Sequence, residues 1–212
     1  MKKSYDRSVD ILVVIFILLS LIISSFALAS TEEAESKVKR VFEQIESSLS
    51  SLKSKNEFTK TNIRTELTKY FLPEVNSQYF SYKVLNKNLP KISKELKVEF
   101  VTELTSQLIN TYSHLLTKYN DESISVGRGV LSKSGKIAMV NLTIVGKNKS
   151  NKAVVKLLKS SDENWKFFDI VVEGISLIDT KQAEINSSIN KLGVEATLQH
   201  LKEINSRNIT PS

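Results

Sequence analysis

The chain of 212 residues contains no cysteine, two histidines, one tryptophan, three prolines and six glycines. Without cysteine there are no disulfide staples, thiol nucleophiles or cysteine-based zinc sites, so stability has to come from packing. Neither His114 nor His200 has a second histidine at the three- or four-residue spacing that a metal site on one helix uses. Gly127-Arg128-Gly129 is too short for a phosphate-cradling loop and falls inside a strand pattern, where a bulge is the ordinary reading. Ser176 lacks the pair of flanking glycines that a nucleophile elbow needs. Asp169 and Glu173 stand four apart in an extended segment, roughly 13 Å along a strand at about 3.3 Å per residue. Paired-carboxylate glycosidases work at roughly 5 to 9.5 Å. The chain therefore reads as a non-enzyme that needs no cofactor.

Charge is not scarce. There are 30 Lys and Arg against 23 Asp and Glu, but the lysines are spread out and no arginine–aromatic interleaving occurs, which argues against nucleic acid as a partner. The front of the chain has a different character. Lys2, Lys3 and Arg7 precede an apolar run from Ile11 to Phe26, and Ala27-Leu28-Ala29 follows as a small-residue cleavage pattern. These are the parts of an export signal, residues 1–29, cut after Ala29; an uncleaved anchor is the alternative. The run is sixteen residues, short of the roughly 20 that span a bilayer. Residues 30–212 carry no second such run and are long enough for one domain with a sizeable core.

Hydrophobic periodicity predicts helices over Thr31 to Lys53, with Val38, Val41, Phe42, Ile45, Leu49 and Leu52 on one stripe, over about Thr61 to Phe71, and over Glu74 to Leu85. A longer helix is expected over Ser93 to Tyr119, where apolar side chains recur every three or four residues and Ser93 is placed to cap. After Asn120 the period falls to two. Ile124 to Leu131, Lys136 to Val145, Lys152 to Lys159 and Trp165 to Val172 read as four strands. Their connections are too short for crossover helices, which makes the sheet an antiparallel meander. Two closing helices, about Thr180 to Leu192 and Val194 to Asn205, are separated by Gly193 as a cap. The expected class is α+β: a four-stranded antiparallel meander packed against several helices.

The strands are apolar on both faces. Ala138, Val140, Leu142 and Ile144 alternate with Ile137, Met139 and Val145, and Phe168, Ile170 and Val172 with Trp165, Phe167 and Val171. Such strands call for cover on both sides, by helices or by an apolar ligand. The segment Trp165 to Gln182 runs from this aromatic strand through Glu173-Gly174 and an Ile175-Ser176-Leu177-Ile178 patch to Thr180-Lys181-Gln182. With the closing helices, and with Phe71, Leu72, Pro73, Phe100 and Tyr112 upstream, it resembles the MlaC, or toluene-tolerance, family of periplasmic phospholipid carriers. The resemblance implies an apolar cavity between sheet and helices. It also implies two docking partners: an outer-membrane lipoprotein–porin complex and an inner-membrane MCE-domain ABC transporter complex.

That function has a physical requirement. Two acyl chains of about sixteen carbons in water cost on the order of 25 kcal/mol, at about 0.8 kcal/mol per CH₂. A carrier must offset nearly all of it. The residues expected to line the lipid-binding cavity are Leu72, Tyr79, Leu104, Leu108, Tyr112, Leu142, Ile144, Leu157, Ile170, Val172, Ile175 and Leu177. The competing reading is a non-enzymatic periplasmic adaptor or chaperone-like module of the same shape whose core is simply full.

Overall fold

The computed structural model describes residues 7–119, 122–147 and 150–209, with side chains for 31–119, 122–147 and 150–207. The side chains of the export-signal region, residues 1–29, and residues 148–149, between the second and third expected strands, lie outside the described residues.

Helix α1 spans Arg7–Ser54. It is followed by α2 (Lys60–Glu66), which runs without a break into a π-helical turn, Leu67–Phe71, and a 3-10 turn, Leu72–Glu74. Helix α3 covers Ser77–Leu85, a second 3-10 stretch covers Asn86–Lys91, and α4 covers Lys94–Leu116. Each of α2, α3 and α4 starts on a side chain suited to the task. Thr59 Oγ1 accepts from the Asn62 amide, Asn76 Oδ1 from Tyr79, and Ser93 Oγ from Leu96.

The strands are β1 (Ser123–Leu131), β2 (Ile137–Val145), β3 (Ser150–Lys159), β4 (Trp165–Val172) and β5 (Ile175–Ser176), in the order β1-β2-β3-β4-β5, every pair antiparallel. The sheet is thus the expected meander, with five strands and not four. The fifth lies beyond Glu173-Gly174, which is the two-residue turn of a hairpin. Both residues have positive φ, 49° and 82°, as the I′ class of turn requires, and Val172 pairs with Ile175 across it. Helices α5 (Leu177–Leu192) and α6 (Val194–Ile209) close the chain; Gly193, at φ 86°, separates them.

Buried side chains gather in three clusters. One face of the sheet (Ala138, Val140, Leu142, Ala153, Val155, Leu157) packs under Ala34, Val38 and Val41 of α1. The far end of α1, through Leu49 and Leu52, joins Ile63, Leu67 and Ile109 in a second cluster. The third lies among α3, α4, α5 and α6 and takes in Phe168 from β4. The second face of the sheet is covered less fully than its sequence suggests. Met139 and Val154 are half-buried and Val145 is exposed, because α3 and α5 pack on β4 and leave much of the face of β2 and β3 to solvent.

Two further details fix α1 on the sheet. Along the edge strand, Ile124 N donates to Glu46 Oε1 at 3.1 Å and Gly129 N to Glu35 Oε1 at 2.6 Å. The register of β1 slips between Val126 and Gly129, so the glycine pair does mark a bulge. A Cβ at Gly129 would come within 3.0 Å of Thr31, a close approach that explains the missing side chain.

Candidate functional site

Phe167 and Phe168 build the site. The β3–β4 register slips next to Leu157, which pairs with Phe167, while Lys156 pairs with Asp169; Phe168 is the extra residue. A bulge of this kind re-aims side chains. Phe167 turns to the α1 face, with its ring 6.3 Å from Phe42 and 5.7 Å from Phe71. Phe168 turns the other way, edge-on to Tyr79 at 5.0 Å. One step later Asp169 is locked in place. Its carboxylate accepts from Ser176 Oγ at 2.9 Å and from the Ile178 amide at 3.1 Å, and pairs with Lys156 Nζ at 2.9 Å. Ser176 in turn accepts from Asp179 N, capping α5. This carboxylate holds the β4–β5 hairpin to the start of α5. Glu173 is also occupied structurally, accepting from the Lys152 amide at 2.7 Å.

Between the sheet and the C-terminal half of α4 lies a pocket of about 520 Å³. Its floor is formed by buried side chains, among them Leu49, Leu67, Phe80, Leu108, Val155 and Phe167. Its mouth carries the exposed lining residues Leu115, Lys118 and Val172. Twenty of its 25 lining residues are aliphatic or aromatic, a surface suited to hydrocarbon and poor for a polar metabolite. Burial, with the charge of Asp169 nearby, pushes the Tyr112 phenol well above its usual range, so this hydroxyl stays neutral in the wall. A smaller hollow of about 250 Å³, between α1 and β1, is bordered by Lys39, Glu43 and Glu46 and has no comparable apolar surface.

A further ion-paired group braces the pocket wall. Glu74 pairs with Lys37 of α1 and, at 3.6 Å, with Lys166 of β4. Burial drives its carboxyl upward, but the hydrogen bonds and charges of the two lysines outweigh that and hold it below its ordinary value. Among the described residues no group of three His, Cys, Asp or Glu side chains is arranged to hold a metal ion, and no helix is long and apolar enough to cross a membrane.

Of the twelve residues expected to line a lipid cavity, Leu108, Tyr112, Ile144, Ile170, Val172 and Leu177 meet in this pocket. Leu104, Leu142 and Leu157 are buried in the core away from it. Tyr79 packs on Phe168, Leu72 packs beside the α1–α2 cluster, and Ile175 stands on the surface at 69 % exposure. The largest contribution absent from the expectation comes from α1, through Phe42, Ile45 and Leu49, and from the π turn, through Leu67 and Phe71. The α1 stripe was visible as a period. Nothing in the sequence indicated that its middle would border an opening while its ends were sealed.

A five-stranded antiparallel meander with helices packed against it, and an apolar pocket between sheet and helices, make this an α+β fold. The chain belongs to the MlaC family: the family model for MlaC protein matches residues 39–203. It is 21% identical over 199 residues to the intermembrane phospholipid transport system binding protein MlaC of Haemophilus influenzae, covering 89% of this chain and 91% of that one. Its fold is similar to that of a phospholipid-binding protein from Ralstonia solanacearum solved in complex with a phospholipid. There the TM-score is 0.74 at 17% identity, over 84% of this chain and 99% of the other.

Proposed function

We propose that the protein is a soluble periplasmic phospholipid carrier that shuttles lipid between outer and inner membranes, holding acyl tails in the pocket between α4 and the sheet. The observation that carries this reading is the composition of that pocket: a wall that is overwhelmingly hydrocarbon, in a protein whose relatives are named for phospholipid binding and intermembrane phospholipid transport. Burying about sixteen CH₂ groups of one chain is worth on the order of 13 kcal/mol, about half of what full exposure of a two-chain lipid costs, so the carrier has to cover both chains. The open mouth leaves the headgroup in water. In this reading residues 1–29 direct export and are removed after Ala29, and the carrier is a single domain, 30–212. It exchanges cargo with an outer-membrane lipoprotein–porin complex and with an inner-membrane MCE-domain ABC transporter complex. Nothing in the reading requires catalysis.

The test is direct. Gently purified protein is extracted with organic solvent and the extract examined by mass spectrometry. Phospholipid in stoichiometric amount is the expected outcome, and its absence counts against the carrier and for an adaptor with no guest.

A further inference from the structure

We propose that the Tyr112 hydroxyl donates a hydrogen bond to an acyl ester carbonyl of the bound lipid, which makes the pocket selective for ester-linked over ether-linked glycerolipids. The inference rests on the carrier reading above and adds to it the part of the cargo that is recognised.

It starts from a donor without an acceptor. Tyr112 lines the pocket, and its hydroxyl donates to no described residue. Nor is that hydroxyl sealed in the wall as the unpaired Ser81 and Thr105 oxygens are, so a guest in the pocket can reach it. The second phenol of the wall, Tyr119, already donates to the Glu122 carbonyl at 3.1 Å. Asp169 is near enough for its charge to act on Tyr112, yet its carboxylate is engaged by Ser176, the Ile178 amide and Lys156. Burial and that same charge keep the phenol protonated, so the group stays a donor.

The depth of Tyr112 suits an ester. Along α4, Leu108 lies in the floor at 6 % exposure and Leu115 at the mouth at 52 %. Tyr112 is half-buried between them, about 4.5 Å inside Leu115 at about 1.5 Å per residue. A lipid whose head stays in water beside Leu115 and Lys118 has its ester groups a few bonds further in, at the level of Tyr112. A carbonyl drawn from water into a hydrocarbon wall loses its hydrogen bonds, a cost that a donor in the wall offsets. An ether link has no carbonyl to accept the bond and gains little from the same donor.

The experiment incubates lipid-stripped protein, expressed from its full sequence, with an excess of vesicles holding equal amounts of two phosphatidylethanolamines. One carries two oleoyl esters and the other two oleyl ethers. The protein is re-isolated and its lipid quantified by mass spectrometry, for wild type and for Tyr112→Phe, which deletes only an unbonded hydroxyl and keeps the ring in place. The ester-to-ether ratio on wild type is expected to be about fivefold that on the variant, the worth of one ordinary hydrogen bond, with total loading unchanged. Infrared spectra of the two proteins loaded with the diester lipid supply a second readout. The lipid carbonyl stretch should lie lower in wild type than in Tyr112→Phe, because a hydrogen bond weakens the C=O bond. Equal ratios overturn the role of Tyr112 and leave the carrier intact. A ratio that changes with no displacement of the carbonyl band assigns the effect to packing and overturns the hydrogen bond. Wild-type protein that takes up neither lipid overturns the carrier reading and this inference together.

Discussion

Asp169 is the residue on which local order converges. It ties β4, β5, the first turn of α5 and Lys156 through one carboxylate. Asp169→Ala leaves the Ser176 hydroxyl and the Ile178 amide without their acceptor, while the partly exposed Lys156 can turn to water. We expect a loss of about 2–4 kcal/mol in urea unfolding, against about 1 kcal/mol for an exposed cap such as Ser93→Ala. Glu74 behaves differently because its contribution depends on pH. Its carboxyl is held below the ordinary value in the folded state, so its ion pairs stabilise the fold fully above the unfolded carboxylate pKa of about 4.3 and lose that effect as pH falls through the lowered folded value. Glu74→Gln should therefore lower Tm at pH 7 and bring it closer to wild type as the pH drops below about 4. A Tm difference that stays constant down to pH 3 would assign the effect to packing and not to charge. Which residues line the pocket was the least legible matter at this scale. Leu142 and Ile144 are indistinguishable by pattern, yet one is 2% exposed in the core and the other borders the opening. Period tells which face a side chain takes, and the distance at which a helix crosses that face has no local code.

Elements were far more legible. The switch of period from 3.6 to 2 near Asn120, the short turns and the capping Ser93 each express a local rule, and each has its counterpart in the structure. The failures occurred where an element is held by something remote. Two-residue β5 exists because Ser176 is bonded to Asp169, and α5 starts three residues earlier than expected for the same reason. The π turn Leu67–Phe71 had no signal either; the phase shift that an extra residue introduces cannot be read over so short a helix, and both Leu67 and Phe71 line the pocket. Gly193, at φ 86° with open space around a Cβ, makes a clean test of backbone strain alone. Gly193→Ala should cost about 1–2 kcal/mol in denaturant unfolding and leave lipid loading untouched.

At the scale of the molecule, a pocket bound to a guest and a sealed core respond differently to charge. Ile144→Arg places a cation in a wall that opens to water, so the protein should fold with a modest loss of stability, yet carry less than a tenth of the wild-type lipid by mass spectrometry. Leu142→Arg places the same group under α1 and should prevent folding, visible as loss of cooperative thermal unfolding. Equal folding defects in both would mean that the pocket is closed in solution. The family was legible in the single segment Trp165 to Gln182, where aromatic strand, tight turn and helix start are crowded into eighteen residues. The pocket was not legible, because a void is made by residues from five distant parts of the chain.

The two glutamates of α1 that accept from the backbone of β1 have a consequence beyond anchoring a helix. At the opposite border Val75 bridges Phe167, and the Asn76 amide donates to the Phe167 oxygen, so that rim is partly shielded too. Two copies that collide would find part of the edge ladder on both borders already occupied, which hinders strand-on-strand stacking and with it the seeding of fibrils.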